Sequence, residues 1–297
     1  MTPDQHTAQD PSTQHPDSLP ADQLEHPGLE SEMSRAPDFG EQSYRGTGKL
    51  AGRKALVTGG DSGIGRAVAL AFAREGADVA ISYLEAEQSD ADETARAVRE
   101  AGRTALQLPG DLQDAGYCRT LVERSVQELG GVDILVNNAA YQMARDGLAD
   151  ITTDELERTF RTNIFAMLHT CKTALEHMRP GAAIINTASI QAYQPDPMLL
   201  AYAATKAAIV NFTKGLAQET IENGVRVNAV APGPIWTPLI PATMPKEKVD
   251  DFGTEESPMG RAGQPAEVAP VYVFLASQAA GYVNGEAIGV TGGMPLS

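Results

Sequence analysis

A tyrosine and a lysine stand four residues apart in Tyr202-Ala-Ala-Thr-Lys206, a spacing that places both on one face of a helix. A free phenol titrates near pH ~10, too high for a base at neutral pH. An ammonium held beside it favours the phenolate and lowers that value. Ser189 ends an apolar, strand-like run upstream, where its hydroxyl can polarise a carbonyl oxygen. The three residue types together suit proton transfer at a carbonyl or alcohol oxygen. A Tyr/Lys pair alone is more often an exposed helix face, so the reading needs further support.

That support comes from Thr58-Gly-Gly-Asp-Ser-Gly-Ile-Gly65. Gly59, Gly63 and Gly65 permit a tight turn, close approach of backbone N–H groups to phosphate, and close packing of the next helix. The helix N-terminus adds its dipole to hold a pyrophosphate. Glycine-rich loops also arise as plain connections, but this one follows a strand and opens a helix, as dinucleotide binding requires. Gly59, Asp61, Ser62, Gly63, Ile64 and Gly65 are therefore candidate cofactor residues.

The elements that must position these groups alternate along the chain. Apolar strands are expected at 54–58, 78–83, 104–108, 133–136, 182–187, 225–230 and 286–290. Helical patterns lie at 64–74, 94–101, 117–129, 153–178, 202–221 and 265–277. Such alternation predicts an α/β domain with a parallel sheet covered by helices on both faces. Right-handed crossovers make it doubly wound, with ligands at the carboxyl ends of the strands. The connection from Pro234 to Met259 is long enough to be a lid. Its Ile235, Trp236, Leu239, Ile240 and Met244 suit an apolar cover over substrate or packing against a neighbouring subunit.

The second strand should end beside the adenosine ribose. An acid there favours NAD and an arginine favours NADP. The chain offers Ser82, Tyr83 and Leu84, with Glu85 slightly late. Tyr83 is a candidate contact, and the choice between NAD and NADP stays open.

Residues 1–48 differ in kind. They are rich in Pro, Gln, Asp, Glu and Ser and carry no helical or strand period, so they cannot bury enough apolar surface to offset their ordering entropy. They form either a flexible tail or an arm, the latter suggested by Leu29, Met33 and the region of Tyr44. Residues 49–297 form the catalytic domain.

Of the 297 residues, 42% are hydrophobic, ordinary for a globular protein with a sizeable core. Apolar runs such as Ala55–Val57 and Ile134–Val136 are too short to span a bilayer. The start shows no secretory signal. The two cysteines, Cys118 and Cys171, give neither a disulfide framework nor zinc spacing. A cytoplasmic protein is the expectation. The five histidines are scattered away from ligand spacing, so no metal is expected. A formal charge of −16 argues against a nucleic-acid partner.

Taken in order and context, these motifs resemble the short-chain dehydrogenase/reductase family across about Lys49 to Gly293. The turn resembles the family's Thr-Gly-x-x-x-Gly-x-Gly signature. Asp111-Leu112 resembles the adenine-contacting Asp element. Asn137-Asn138-Ala139-Ala140 resembles the Asn-Asn-Ala-Gly element, with Ala140 where glycine is usual. Pro232-Gly233, with Thr237 beyond, resembles the nicotinamide-contacting loop. Asn163 matches the helix Asn that completes a tetrad with Ser189, Tyr202 and Lys206.

The resemblance implies a single-domain Rossmann fold and an NAD(P)-dependent oxidoreductase acting on a small carbonyl or alcohol substrate. Asn138 and Ala139 would contact the cofactor while the Asn side chains support the sheet. Ser189 and Tyr202 would bond the carbonyl oxygen while hydride arrives from the nicotinamide. Lys206 would hold the nicotinamide ribose and depress the phenol pKa, and Asn163 would anchor a water reaching bulk solvent. The Gly60–Arg66 turn and the arm further resemble a bacterial subgroup described as general-stress or aldehyde-reductase-like oxidoreductases, with plant relatives likened to glucose and ribitol dehydrogenases. That likeness implies a homotetramer with arms crossing between subunits.

A catalytically silent NAD(P) sensor is the main alternative, but such a protein would be free to lose Ser189, Tyr202 or Lys206. An enoyl reductase would go with a wider Tyr-to-Lys spacing. An epimerase of the extended branch would need more chain after the sixth strand.

Overall fold

The computed structural model describes residues 10–12, 19–255 and 257–297. The remainder of the first 48 residues, including His6 and His15, lies outside the described residues. Seven strands form one parallel sheet: β1 (Lys54–Thr58), β2 (Asp78–Tyr83), β3 (Ala105–Pro109), β4 (Ile134–Asn137), β5 (Ala183–Thr187), β6 (Arg226–Pro232) and β7 (Ala287–Val290), in the order β3-β2-β1-β4-β5-β6-β7. The central strands are buried on both faces, which is why they read as continuous apolar runs rather than alternating ones.

The helices that follow are α1 (Gly63–Arg74), α2 (Gln88–Glu100), α3 (Ala115–Leu129), α4 (Thr153–Phe160), α5 (Ala166–Leu175), α6 (Leu200–Thr220), α7 (Leu239–Thr243), α8 (Lys246–Asp250) and α9 (Pro265–Ala276). Ala67, Phe72, Val98 and Tyr272 pack α1, α2 and α9 onto one face of the sheet. Leu121, Cys171, Ile209 and Leu216 pack α3, α5 and α6 onto the other. The strand order reverses between β2-β1 and β4, so a crevice opens there at the carboxyl ends.

Helix α2 starts earlier than the expected 94–101, because its first turn is anchored. Asp90 accepts from the Glu30 N–H at 2.9 Å. A single turn of π-helix, Arg161–Phe165, joins α4 to α5 and carries Asn163; such bulges mark functional sites.

The described arm residues pack on their own chain. Their apolar partners are supplied by the same chain. Met33, Trp236, Ile240, Met244 and Val249 form a third core, with Leu19 and Leu24 against it. The Trp236 indole, fully buried, donates to the Arg35 carbonyl at 3.0 Å. Tyr44 donates to Glu75 at 2.7 Å, and Arg74 donates to the Gly40 carbonyl at 2.8 Å. The segment 234–259 folds as α7 and α8 beneath the arm, with Ile235, Leu239, Ile240 and Met244 lining the cavity on its other side.

Candidate active site

A single cavity of about 640 Å³ runs along the carboxyl ends of the strands. It is lined by Gly59, Asp61, Ser62, Gly63, Ile64, Tyr83, Asp111, Leu112, Asn138, Ala139, Ser189, Tyr202, Lys206, Pro232, Gly233 and Thr237. Of the residues singled out in the sequence, Gly65 and Asn163 stand behind its wall.

The turn after β1 is built for close approach. Gly63 sits at φ +51°, in the left-handed region. A Cβ on Gly65 would fall 1.8 Å from the Gly59 carbonyl oxygen, so only glycine lets α1 begin this near to β1. The Asn138 side-chain amide donates to the Thr58 and Gly59 carbonyls, both at 3.1 Å, and the Thr58 hydroxyl accepts from the Asn138 and Ala139 N–H groups. Asn137 donates to Asn186 at 2.9 Å across β4 and β5. The asparagine pair thus ties the turn and sheet together while Ala139 and Ala140 border the cavity.

At the other end, Ser189 follows β5. Its Oγ accepts from the Gln191 N–H at 3.1 Å, which fixes the side chain. Helix α6 brings Tyr202 and Lys206 to the same place. Lys206 Nζ, on a side chain only 2% exposed, donates to the Thr187 carbonyl at 2.8 Å and lies 5.2 Å from the centroid of the Tyr202 ring.

Burial pushes the Tyr202 phenol up to about 12, and a hydrogen bond with Ser189 pulls it back only in part. Burial pushes the Lys206 ammonium down to about 7. The expected depression of the phenol by Lys206 is therefore absent from this site. Lys206 faces the ring and the Thr187 carbonyl rather than the phenol oxygen, and desolvation disfavours both charges.

Asn163 is held by three groups. Its Oδ1 accepts from the Tyr141 N–H at 2.7 Å, and its Nδ2 donates to the Tyr141 carbonyl at 2.9 Å and to Thr205 at 3.0 Å. It braces the segment after β4 against α6, directly behind Tyr202 and Lys206.

Sequence reading missed one wall. His26 and Pro27 of the arm line the cavity together with Tyr141 and Arg158. Arg158 donates to His26 Nδ1 at 3.2 Å and stacks 4.3 Å from the Tyr141 ring centroid. Burial and the neighbouring Arg158 charge lower the His26 pKa to about 4, so the imidazole is neutral with its proton on Nε2. Nothing periodic in the tail signals this contact.

No group of three or more His, Cys, Asp or Glu suited to a metal occurs among the described residues, and no described helix is long and apolar enough to cross a membrane.

The family model described as enoyl-(acyl carrier protein) reductase matches residues 59–295. General stress protein 39 of Bacillus subtilis is 50% identical over 280 residues, 94% of this chain and 97% of that one. NADPH-dependent aldehyde reductase 1, chloroplastic, of Arabidopsis thaliana is 48% identical, covering 90% and 94%. A crystal structure of a short-chain dehydrogenase from Burkholderia cenocepacia in complex with NADP superposes with a TM-score of 0.78 at 34% identity, over 82% of this chain and 98% of that one. The chain belongs to the short-chain dehydrogenase/reductase family, a class of NAD(P)-dependent oxidoreductases.

Proposed function

We propose that the chain interconverts a small aldehyde, ketone or sugar-like carbonyl with its alcohol, with Tyr202 as the proton carrier. The observation that carries this is the convergence of Ser189, Tyr202 and Lys206 in the same cavity as the phosphate-type turn. The residues fit a nicotinamide dinucleotide. The N-terminus of α1 opens onto the cavity through Ser62, Gly63 and Ile64, where its dipole favours a pyrophosphate. The buried Asp61 Oδ2 and Ser82 Oγ lack hydrogen-bond partners at the far end. A bound nicotinamide supplies or accepts the hydride.

Everything else falls to the protein. Ser189 and Tyr202 bond the reacting oxygen from one side. A phenol pushed up to about 12 is protonated at neutral pH, ready to give its proton to the oxygen as negative charge develops there. Lys206, held by the Thr187 carbonyl, would hold the ribose hydroxyls of a bound cofactor. Asn163 positions Tyr202 and Lys206 by bracing α6. His26, Pro27 and Tyr141, with α7, close the mouth on the substrate side and exclude water.

The similarity to an aldehyde reductase supports an aldehyde as substrate class. The three residues between Tyr202 and Lys206 favour a carbonyl over the C=C bond of an enoyl thioester. Exposed Leu156, Phe165 and Leu168 along α4 and α5, and Phe274 with Tyr282, support a homotetramer; a cytoplasmic site of action goes with the same reading.

The test is titration with NADH and NADPH followed by a panel of aldehydes, ketones and sugars, read at the nicotinamide absorbance. Turnover on aldehydes or sugars is expected. Tight binding without turnover on any member makes the chain a sensor instead. The directions should also differ in pH. Tyr202 is the acid for reduction below its pKa, so reduction holds across pH 6–9. Oxidation needs the phenolate, so its kcat/KM climbs with pH, by up to about tenfold per unit. Parallel profiles for both directions would remove Tyr202 from proton transfer.

A further inference from the structure

The end of the cavity under β2 carries two polar atoms that none of the described residues satisfies. Asp61, 2% exposed, and Ser82, fully buried, both line the cavity, and neither Asp61 Oδ2 nor Ser82 Oγ has a hydrogen-bond partner. They are neighbours by construction. Ser82 pairs in register with Thr58 across β2 and β1, and its carbonyl accepts from the Gly60 N–H at 3.2 Å. Buried polar atoms of this kind are normally paired, and both residues line the cavity, from which a partner can arrive.

Two more acids border the same end. Glu87 lines it, held by the Leu84 N–H, which donates to its Oε2 at 2.8 Å. Asp111 borders it after β3. Among the described lining residues the lysine and the arginine are Lys206 and Arg158, both at the opposite end. Lys206 sits on the carbonyl that ends β5, three strand spacings or roughly 14 Å from β2. Arg66, nearest in sequence, is buried behind the turn and committed to Glu30, Asp90 and Glu93.

We propose that this chain selects NAD(H) over NADP(H), with Asp61 and Ser82 bonding the adenosine ribose hydroxyls and the Asp61 carboxylate repelling a 2′-phosphate. A ribose diol donates to the carboxylate and accepts from the serine, which satisfies both orphaned atoms. A 2′-phosphate carries about −1.5 to −2 charges at neutral pH and offers acceptors where the Asp61 carboxylate needs a donor. Burial pushes the Glu87 carboxyl up to about 8, which leaves it protonated at neutral pH, and the Asp61 carboxyl only to about 6, so the charge that opposes a further anion there is the Asp61 carboxylate. The proposal sets the chain apart from the aldehyde reductase named for NADPH and the relative solved with NADP. It rests on the dehydrogenase reading above.

The experiment is calorimetric titration of the full chain with NADH and with NADPH, repeated on Leu84→Arg and Asp61→Asn. The wild type should bind NADH at least tenfold more tightly. Leu84 is half-buried at the cavity edge, so an arginine there can reach a 2′-phosphate; it should tighten NADPH at least tenfold and leave NADH within about threefold. Asp61→Asn should weaken NADH and narrow the ratio. Equal or tighter NADPH binding by the wild type overturns the proposal and leaves the dehydrogenase reading standing. So does a ratio that neither variant moves. Binding of neither nucleotide removes the dehydrogenase reading and this inference with it.

Discussion

Tyr202→Phe loses carbonyl reduction by a factor on the order of 10²–10⁴ while its nicotinamide dissociation constant stays within about threefold of wild type. The ring fills the same space, and its packing against Lys206 persists. What goes is the proton that must reach the substrate oxygen and the hydrogen bond that ties the phenol to Ser189. No described group beside it can stand in. Ser189 accepts from the Gln191 N–H and its aliphatic hydroxyl is a far weaker acid than a phenol, and Lys206 donates to the Thr187 carbonyl. Stopped-flow binding of NADH and NADPH, paired with steady-state turnover, separates the two effects. Comparable turnover in the variant would remove the tyrosine from the chemistry, whereas loss of nucleotide binding would make it a structural residue.

The parts of this site that could be read from sequence are those whose chemistry and geometry are local. The turn from Thr58 to Gly65 needs glycine for reasons confined to eight residues, and the Tyr202/Lys206 spacing follows from helix geometry alone. Strands such as 225–230 declare themselves because burial on both faces leaves an unbroken apolar run. What escaped the sequence depends on residues far apart in the chain. His26 reaches Arg158 across 132 positions, and Trp236 reaches Arg35 across 201. The arm has no period because it is not a helix or strand; it is held by single anchors, each meaningful only once its partner is in place. The electrostatics of the catalytic pair escaped for a related reason. Spacing puts Lys206 on the right face, but only the position of the Thr187 carbonyl decides that its ammonium sits beneath the ring rather than beside the phenol oxygen.

Arg66→Met should be the most destabilising single change outside the cores, by roughly 3–5 kcal/mol, and it should act on catalysis through the arm. Arg66 is 3% exposed and serves as the peg on which the arm hangs. Its Nη1 lies 2.5 Å from Glu30 Oε2, and the Phe39 ring stacks 4.7 Å from its guanidinium carbon. It also donates to the Asp61 and Asp90 carbonyls at 2.8 and 2.9 Å. Glu30 completes the link by accepting from the Gly63 N–H at 2.8 Å, at the start of α1. Without the arginine, Glu30, Asp61 and Asp90 share a buried space with no internal cation. Burial already pushes the Glu30 carboxyl up to about 8 against the pull of Arg66. In the variant Glu30 relieves itself by holding a proton at low pH and cannot do so at high pH, so the penalty should grow from pH 6 to pH 9. Adding Glu30→Gln to Arg66→Met should restore part of the loss, because it removes the stranded charge, and the two changes should be far from additive. As the arm loosens, His26 and Pro27 leave the cavity wall, so KM for the carbonyl should rise more than the dissociation constant for nicotinamide. Thermal melts of the four members of this cycle across that pH range give the answer. If the single arginine variant melts within a degree or two of wild type, or if Glu30→Gln brings no rescue, the arm is fixed by its apolar contacts and the ion pair is incidental.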